Sequence, residues 1–213
     1  MTMTFHEQLY RDSDAMARLA SLRLTICGAG ALGANLAETL ARMGARRIRV
    51  IDRDHIETRN LSTQPWESGD VGSRKADLIG SRLYRIARLE AESICRELTD
   101  ENAERYLTGS DLVLDTFDNT LSRAAVIDFC AEKTIPCLHA GLAGDYAEVV
   151  WNDDYRLPSS TLDDICDYPL ARNLVLLTVA VAAECVIRFA ADGCQESYTI
   201  ALRDFAIRPY LKA

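Results

Sequence analysis

The chain has 213 residues, enough for one large domain with a sizeable core. Apolar residues make up 48% and charged residues 26%, the balance of an ordinary soluble globular protein. The formal net charge of −8 weighs against a nucleic-acid partner, because holding phosphates requires a basic face.

Residues 1–20 are polar with helical periodicity, and Leu9, Met16 and Leu19 form a thin apolar stripe. Arg23–Cys27 reads as a buried strand that enters a glycine-rich turn, Gly28-Ala29-Gly30-Ala31-Leu32-Gly33. Ala34–Met43 is rich in helix formers, and Gly44 stops it. Arg47–Ile51 is a second strand. Residues 53–72 lack periodicity and hold Pro65 and Gly69, so a loop with one short helical turn is expected. There follow a helix over Ser73–Arg88, a strand over Glu92–Cys95, a helix over Asn102–Leu107, a strand over Asp111–Asp115, a helix over Leu121–Lys133 and a strand over Ile135–His139. Strand and helix thus alternate from 23 to 139, the signature of an α/β fold with a parallel sheet covered on both faces. After the tight Gly144-Asp145 turn, Tyr146–Trp151 is expected to run antiparallel. Residues 152–168 form an acidic, irregular crossover into a long apolar helix, Leu170–Ala190, ended by Gly193. Tyr198–Leu202 and Phe205–Arg208 close the chain as a hairpin. The organisation expected is an N-terminal helical segment, 1–22, and one domain, 23–213.

The seven cysteines include no C-x-x-C pair, so no structural zinc is expected from the usual spacing. With no signal peptide, a reducing cytoplasm is the expected compartment. The longest apolar run, Leu174–Ala183, is bounded by Glu184 and Arg188 and is too short to span a bilayer, so no membrane is expected.

The glycine turn places bare backbone at a helix N-terminus, where unpaired N–H groups and the helix dipole favour phosphate. Gly28 permits the tight turn, Gly30 lets phosphate come close and Gly33 lets the helix pack on the strand. Asp52 ends the next strand about 20 residues later, where an acid meets ribose hydroxyls; NAD and ATP share that ribose. Lys75, near Gly72 at a helix start, pairs with phosphate or is a solvated surface lysine. Asp118 lies past a strand at the carboxyl edge of the sheet. It holds Mg²⁺ beside a triphosphate, or Asp118 or Asn119 merely caps the helix that follows.

The ordered series G-A-G-A-L-G, D-R-D (52–54), N-L-x-x-Q (60–64), G-x-x-K-A (72–76) and D-N (118–119) closely resembles the ThiF/MoeB family, the bacterial relatives of ubiquitin-activating enzymes. The resemblance runs from Arg23 to Gly193. It implies a Rossmann-like, doubly wound, mostly parallel sheet with antiparallel strands at its C-terminal edge. It also implies Mg-ATP as the nucleotide and adenylation of the C-terminal carboxylate of a small ubiquitin-like, sulfur-carrier-type protein or peptide, usually ending in Gly-Gly, with release of pyrophosphate. Carried over by position, Gly28, Gly30, Gly33, Asp52 and Asp54 frame the nucleotide. Asn60, Gln64 and Lys75 serve the phosphates, Asp118 binds Mg²⁺ and Asn119 shares the pocket. Arg123 matches a recurrent arginine or forms a structural ion pair. A homodimer is expected from the resemblance and from the apolar circumference of the Leu170–Ala190 helix.

Three departures stand out. Thr63 occupies the arginine position of the family's N-L-x-R-Q, a loss on the order of 10²–10³-fold in rate if nothing replaces that cation. Arg59 is the favoured replacement. Arg74 also flanks the gap, and Arg11 or Arg18 of a second copy is the runner-up. The paired C-x-x-C motifs of many relatives are absent, and no sulfurtransferase domain is appended. Cys166, in the acidic crossover, sits where some relatives carry a thioester-forming cysteine, but Asp163, Asp164 and Asp167 would raise its pKa. His139 is read as a buried, hydrogen-bonded histidine rather than a catalytic one. The competing functions are a catalytically degenerate binding or scaffold relative, which Thr63 favours, and an NAD-dependent oxidoreductase, for which 213 residues leave little room. A tRNA-modifying relative is disfavoured by the acidic charge.

Overall fold

The computed structural model describes residues 2–157 and 169–211. The sheet has eight strands: β1 (Arg23–Cys27), β2 (Arg47–Ile51), β3 (Glu92–Ile94), β4 (Leu112–Asp115), β5 (Cys137–Ala143), β6 (Tyr146–Trp151), β7 (Tyr198–Ala201) and β8 (Ala206–Pro209). Their order is β3-β2-β1-β4-β5-β6-β7-β8. The first five run parallel and β6, β7 and β8 antiparallel. The order reverses between β1 and β4, so a crevice opens there, outside the carboxyl ends of the strands.

The helices are α1 (Phe5–Tyr10), α2 (Ser13–Ser21), α3 (Ala31–Met43), α4 (Lys75–Ala87), α5 (Asp100–Leu107), α6 (Thr120–Lys133) and α7 (Arg172–Asp192). Leu32, Leu36, Leu40 and Met43 give α3 one buried stripe, and Gly44 ends it with φ 118°, a conformation an L side chain resists. The larger core unites α3, α4 and α7 on one face of the sheet through Leu36, Leu40, Ile79, Leu83, Leu174 and Val186. A smaller core beneath the other face holds Leu98, Leu107, Val126 and Phe129. Leu19 of α2 belongs to the larger core, so the N-terminal helices are packed against the domain. Of the expected apolar stripe there, Met16 and Leu19 are buried, while Leu9 is 69% exposed.

Two expectations need correction. By length and composition α7 could cross a membrane, contrary to the reading of its apolar run as too short. Here it packs on β5, β6 and β7 and is covered by α2 and α3. Much of its apolar circumference is therefore used within its own chain, while Leu176 stays 43% exposed. Arg11 and Arg18 are also engaged at home. Arg11 pairs with Glu184 (2.7 Å) and Glu7 (2.8 Å), and Arg18 donates to the Ala191 carbonyl.

Candidate functional site

At the tip of β1 the chain turns through Gly28, whose φ of 96° belongs to glycine's range. Its N–H bonds to Ile51 O across the sheet (2.8 Å). Gly33 lies in the first turn of α3, which starts three residues earlier than the sequence suggested. A Cβ there would sit 1.9 Å from Gly28 O and 2.5 Å from Thr116 Oγ1. Thr116 locks this approach by donating its hydroxyl to Cys27 O (2.9 Å) and Gly28 O (3.2 Å). Gly30, the residue capping α3, has no atom within 4 Å of where its Cβ would be. The turn is thus tight on the protein side and open on the other, which is the cradle a phosphate needs.

Asp52 is 6% exposed and accepts from the backbone N–H of Ala29 (2.6 Å) and of Asp54 (2.7 Å). Burial pushes its pKa up, while the Lys75 charge and the two N–H groups pull it back toward the ionised form. A carboxylate has about four lone-pair sites, so about two remain for ribose hydroxyls. Lys75 opens α4, is 7% exposed, and places its ammonium 3.2 Å from Asp54. It is not a solvated surface lysine.

The loop from 53 to 72 contains two 3₁₀ turns, Thr58–Ser62 and Ser68–Asp70. Asn60 Oδ1 accepts from Glu57 N (2.9 Å), and Gln64 Oε1 accepts from Trp66 Nε1 (2.6 Å). Both amide oxygens are satisfied by the protein, which leaves the two NH₂ groups as the donors on offer. Thr63 is buried, and its carbonyl accepts from Asn35 of α3 (2.9 Å). That bond ties the loop to the first turns of α3, beside Gly30. Arg59 is exposed but ion-paired with Glu57 (2.6 Å). Arg74 immediately precedes α4, within reach of the Cys95 thiol just past β3.

Asp118 is exposed just past β4, at the carboxyl end of the sheet where the crevice between β1 and β4 opens. Asn119 caps α6 by accepting from Ser122 N (2.8 Å). Asn119→Ala is expected to cost about 1 kcal/mol of stability. Urea denaturation and nucleotide titration of this variant check whether it is a cap alone, in which case nucleotide affinity stays at the wild-type value.

Arg123, in contrast, is structural. It is 7% exposed and donates to Phe117 O (2.5 Å), Ala140 O (2.8 Å), the Tyr155 hydroxyl (2.7 Å) and the fully buried Asp115 (3.3 Å). His139 bonds the same carboxylate (2.8 Å) and stacks on Tyr155 at 4.2 Å. This buried lattice fixes the end of β4, from which Asp118 projects. Sequence reasoning found Arg123 and His139 but missed Asp115, whose only signal was an acid closing the apolar run of a strand.

A cavity of about 680 Å³ lies along the flank of α3, lined by Asn35, Glu38, Arg42, Gln64, Trp66 and Arg82 among others. Neither the glycine turn nor Asp52 lines it, so it is separate from that turn. Cys166 falls outside the described residues. Among those residues no group of three or more His, Cys, Asp or Glu gathers as a metal site.

Comparison with known proteins agrees with this geometry. The solved structure of E. coli MccB bound to MccA-N7isoASN superposes with a TM-score of 0.83 at 18% identity, covering 98% of this chain and 70% of that one. Among curated proteins, a Haemophilus influenzae tRNA threonylcarbamoyladenosine dehydratase is 32% identical over 134 residues, 62% of this chain and 51% of the relative. The Bacillus subtilis sulfur carrier protein ThiS adenylyltransferase is 32% identical over 133 residues, 61% of this chain and 40% of the relative. The chain thus spans about half the length of these curated relatives or less. The model of the ThiF family matches residues 6–166, which take in the glycine turn, Asp52, the Asn60–Gln64 loop, Lys75 and Asp118. With that match over most of its length, the chain belongs to the ThiF family.

Proposed function

We propose that the chain transfers the adenylyl group of ATP to a carboxylate, the C-terminus of a small ubiquitin-like, sulfur-carrier-type protein or of a peptide, and releases pyrophosphate. The observation that carries this reading is the open glycine turn at the start of α3, whose Ala29 N–H is held by buried Asp52 within reach of the Lys75 charge. In the loop that follows, Asn60 and Gln64 have their amide oxygens occupied and their NH₂ groups on offer. A triphosphate presents acceptor oxygens to such donors, more of them and with more charge than the pyrophosphate of NAD. The relative named a ThiS adenylyltransferase supports the same chemistry.

The reaction is in-line attack of a carboxylate on the α-phosphorus. No general base is required, since a carboxylate is ionised at neutral pH. This chain's residues bind and orient: Asp52 the ribose, the α3 N-terminus and the loop donors the phosphates. Asp118 would hold Mg²⁺ together with phosphate oxygens, and the ion would neutralise phosphate charge. The exposed single carboxylate suits a metal that keeps most of its waters. The same reading includes a homodimer and a reducing cytoplasm.

Exchange of labelled pyrophosphate into ATP tests it, with a panel of Gly-Gly-ending ubiquitin-like proteins and short peptides as acceptors. Acceptor-dependent exchange is expected. ATP binding without exchange across the panel would favour the scaffold reading, which the buried Thr63 in the family's arginine position keeps in view.

A further inference from the structure

Glu148 of β6 is a half-buried carboxylate with no hydrogen-bond or ion-pair partner among the described residues. Its neighbours Ala147 and Val149 turn into the larger core with α7, so Glu148 points to the other face of the sheet. There it lies beside Gly141 of β5 and Thr199 of β7, and Thr199 lies beside Arg208 of β8. Gly141, Thr199 and Ala201 are small and half-buried, and Tyr146 on the same face is 44% exposed, so these strands present a shallow open trough. Asp115, the last residue of β4, pairs with His139. Gly141 and Glu148 lie two residues beyond that pair, at the level of the chain that leads to Asp118. The trough therefore runs out from the crevice itself.

The cations near Glu148 are engaged elsewhere. Arg123 reaches over Gly141, where a Cβ would lie 3.6 Å from its Nη2, but its guanidinium serves Asp115, the Tyr155 hydroxyl and the carbonyls of Phe117 and Ala140. His139 bonds the same Asp115, and Arg208 pairs with Asp204 (2.6 Å). Arg123 and Asp115 cancel, which leaves one negative charge at Glu148. Burial pushes its carboxyl pKa up, and Arg123 and His139 draw it part of the way back. A half-buried carboxylate with no donor carries a desolvation cost that a donor on a ligand removes.

We propose that Glu148 selects the acceptor by charge, taking a lysine or arginine that stands three or four residues before the terminal carboxylate and disfavouring an acid there. This rests on the adenylation reading above. The spacing follows from the sheet. From the crevice between β1 and β4 to β6 is two to three strand spacings, about 10–14 Å. An extended tail covers that distance with three or four residues.

Pyrophosphate exchange by the whole chain, with ATP and Mg²⁺, tests the proposal. The acceptors are three sets of ten-residue peptides ending in Gly-Gly, identical except for Lys, Ala or Glu at the two positions in question. The wild type should prefer the Lys peptide over the Ala peptide by about tenfold, the worth of one charge-assisted hydrogen bond, chiefly through KM. Glu148→Gln should bring that preference to within about twofold. Glu148→Lys should reverse it in favour of the Glu peptide, a result that loss of packing does not produce. Exchange by the wild type without preference overturns this inference and leaves adenylation standing, as does a preference kept in full by Glu148→Gln. No exchange with any peptide overturns the peptide-acceptor reading and this inference with it.

Discussion

Gly33→Ala is expected to destabilise the fold by about 3 kcal/mol or more and to abolish nucleotide binding, because the new methyl has nowhere to go. Its nearest neighbour would be the Gly28 carbonyl at 1.9 Å, far inside any real contact. That atom is backbone, held by the turn that makes the phosphate cradle. Relief requires α3 to lift from β1, which removes Leu36 and Leu40 from the core and reorients the N–H groups of the helix end. Thr116 Oγ1, at 2.5 Å, blocks the other way out. Urea denaturation and ATP titration of the variant check this. Wild-type stability with wild-type binding would show that the close packing of Gly33 does not set the site.

Asp118→Ala is expected to lower pyrophosphate exchange by about 10³-fold or more, the several kcal/mol that a correctly held metal supplies to developing charge. The fold should be unaffected. Asp118 is exposed past β4, and the lattice that fixes that strand end uses Asp115, Arg123, His139 and Tyr155 instead. The stability change should stay within about 0.5 kcal/mol, the range of surface substitutions. Exchange that survives in this variant would remove the metal role from Asp118.

Much of the architecture was legible because its signals are local. The strands Arg23–Cys27, Arg47–Ile51 and Tyr146–Trp151 have the bounds read from their apolar runs and turn residues. α3 starts earlier than expected because Gly33, which reads as loop, is a helical residue chosen for close approach. β5 runs on past His139 to Ala143, since Ala140 and Gly141 weaken the strand pattern locally while pairing with β6 sustains it. The surroundings of α7 were not legible for a related reason: which elements cover a helix is a tertiary fact, and α2 supplies part of that cover from far away in sequence.

At the site, the residue identities were legible and their partners were not. The motif spacing gave Asp52, Asn60, Gln64, Lys75 and Asp118. It did not show that Lys75 leans on Asp54, or that Asn60 and Gln64 have their oxygens occupied.

The central claim is that this crevice takes a triphosphate nucleotide. The most direct measurement is calorimetric titration of the purified chain with ATP and Mg²⁺ and, separately, with NAD. Saturable binding of ATP with no detectable binding of NAD is the predicted result. Saturable NAD binding with none for ATP would contradict it, and would return the glycine turn and Asp52 to the ribose and pyrophosphate of a dinucleotide.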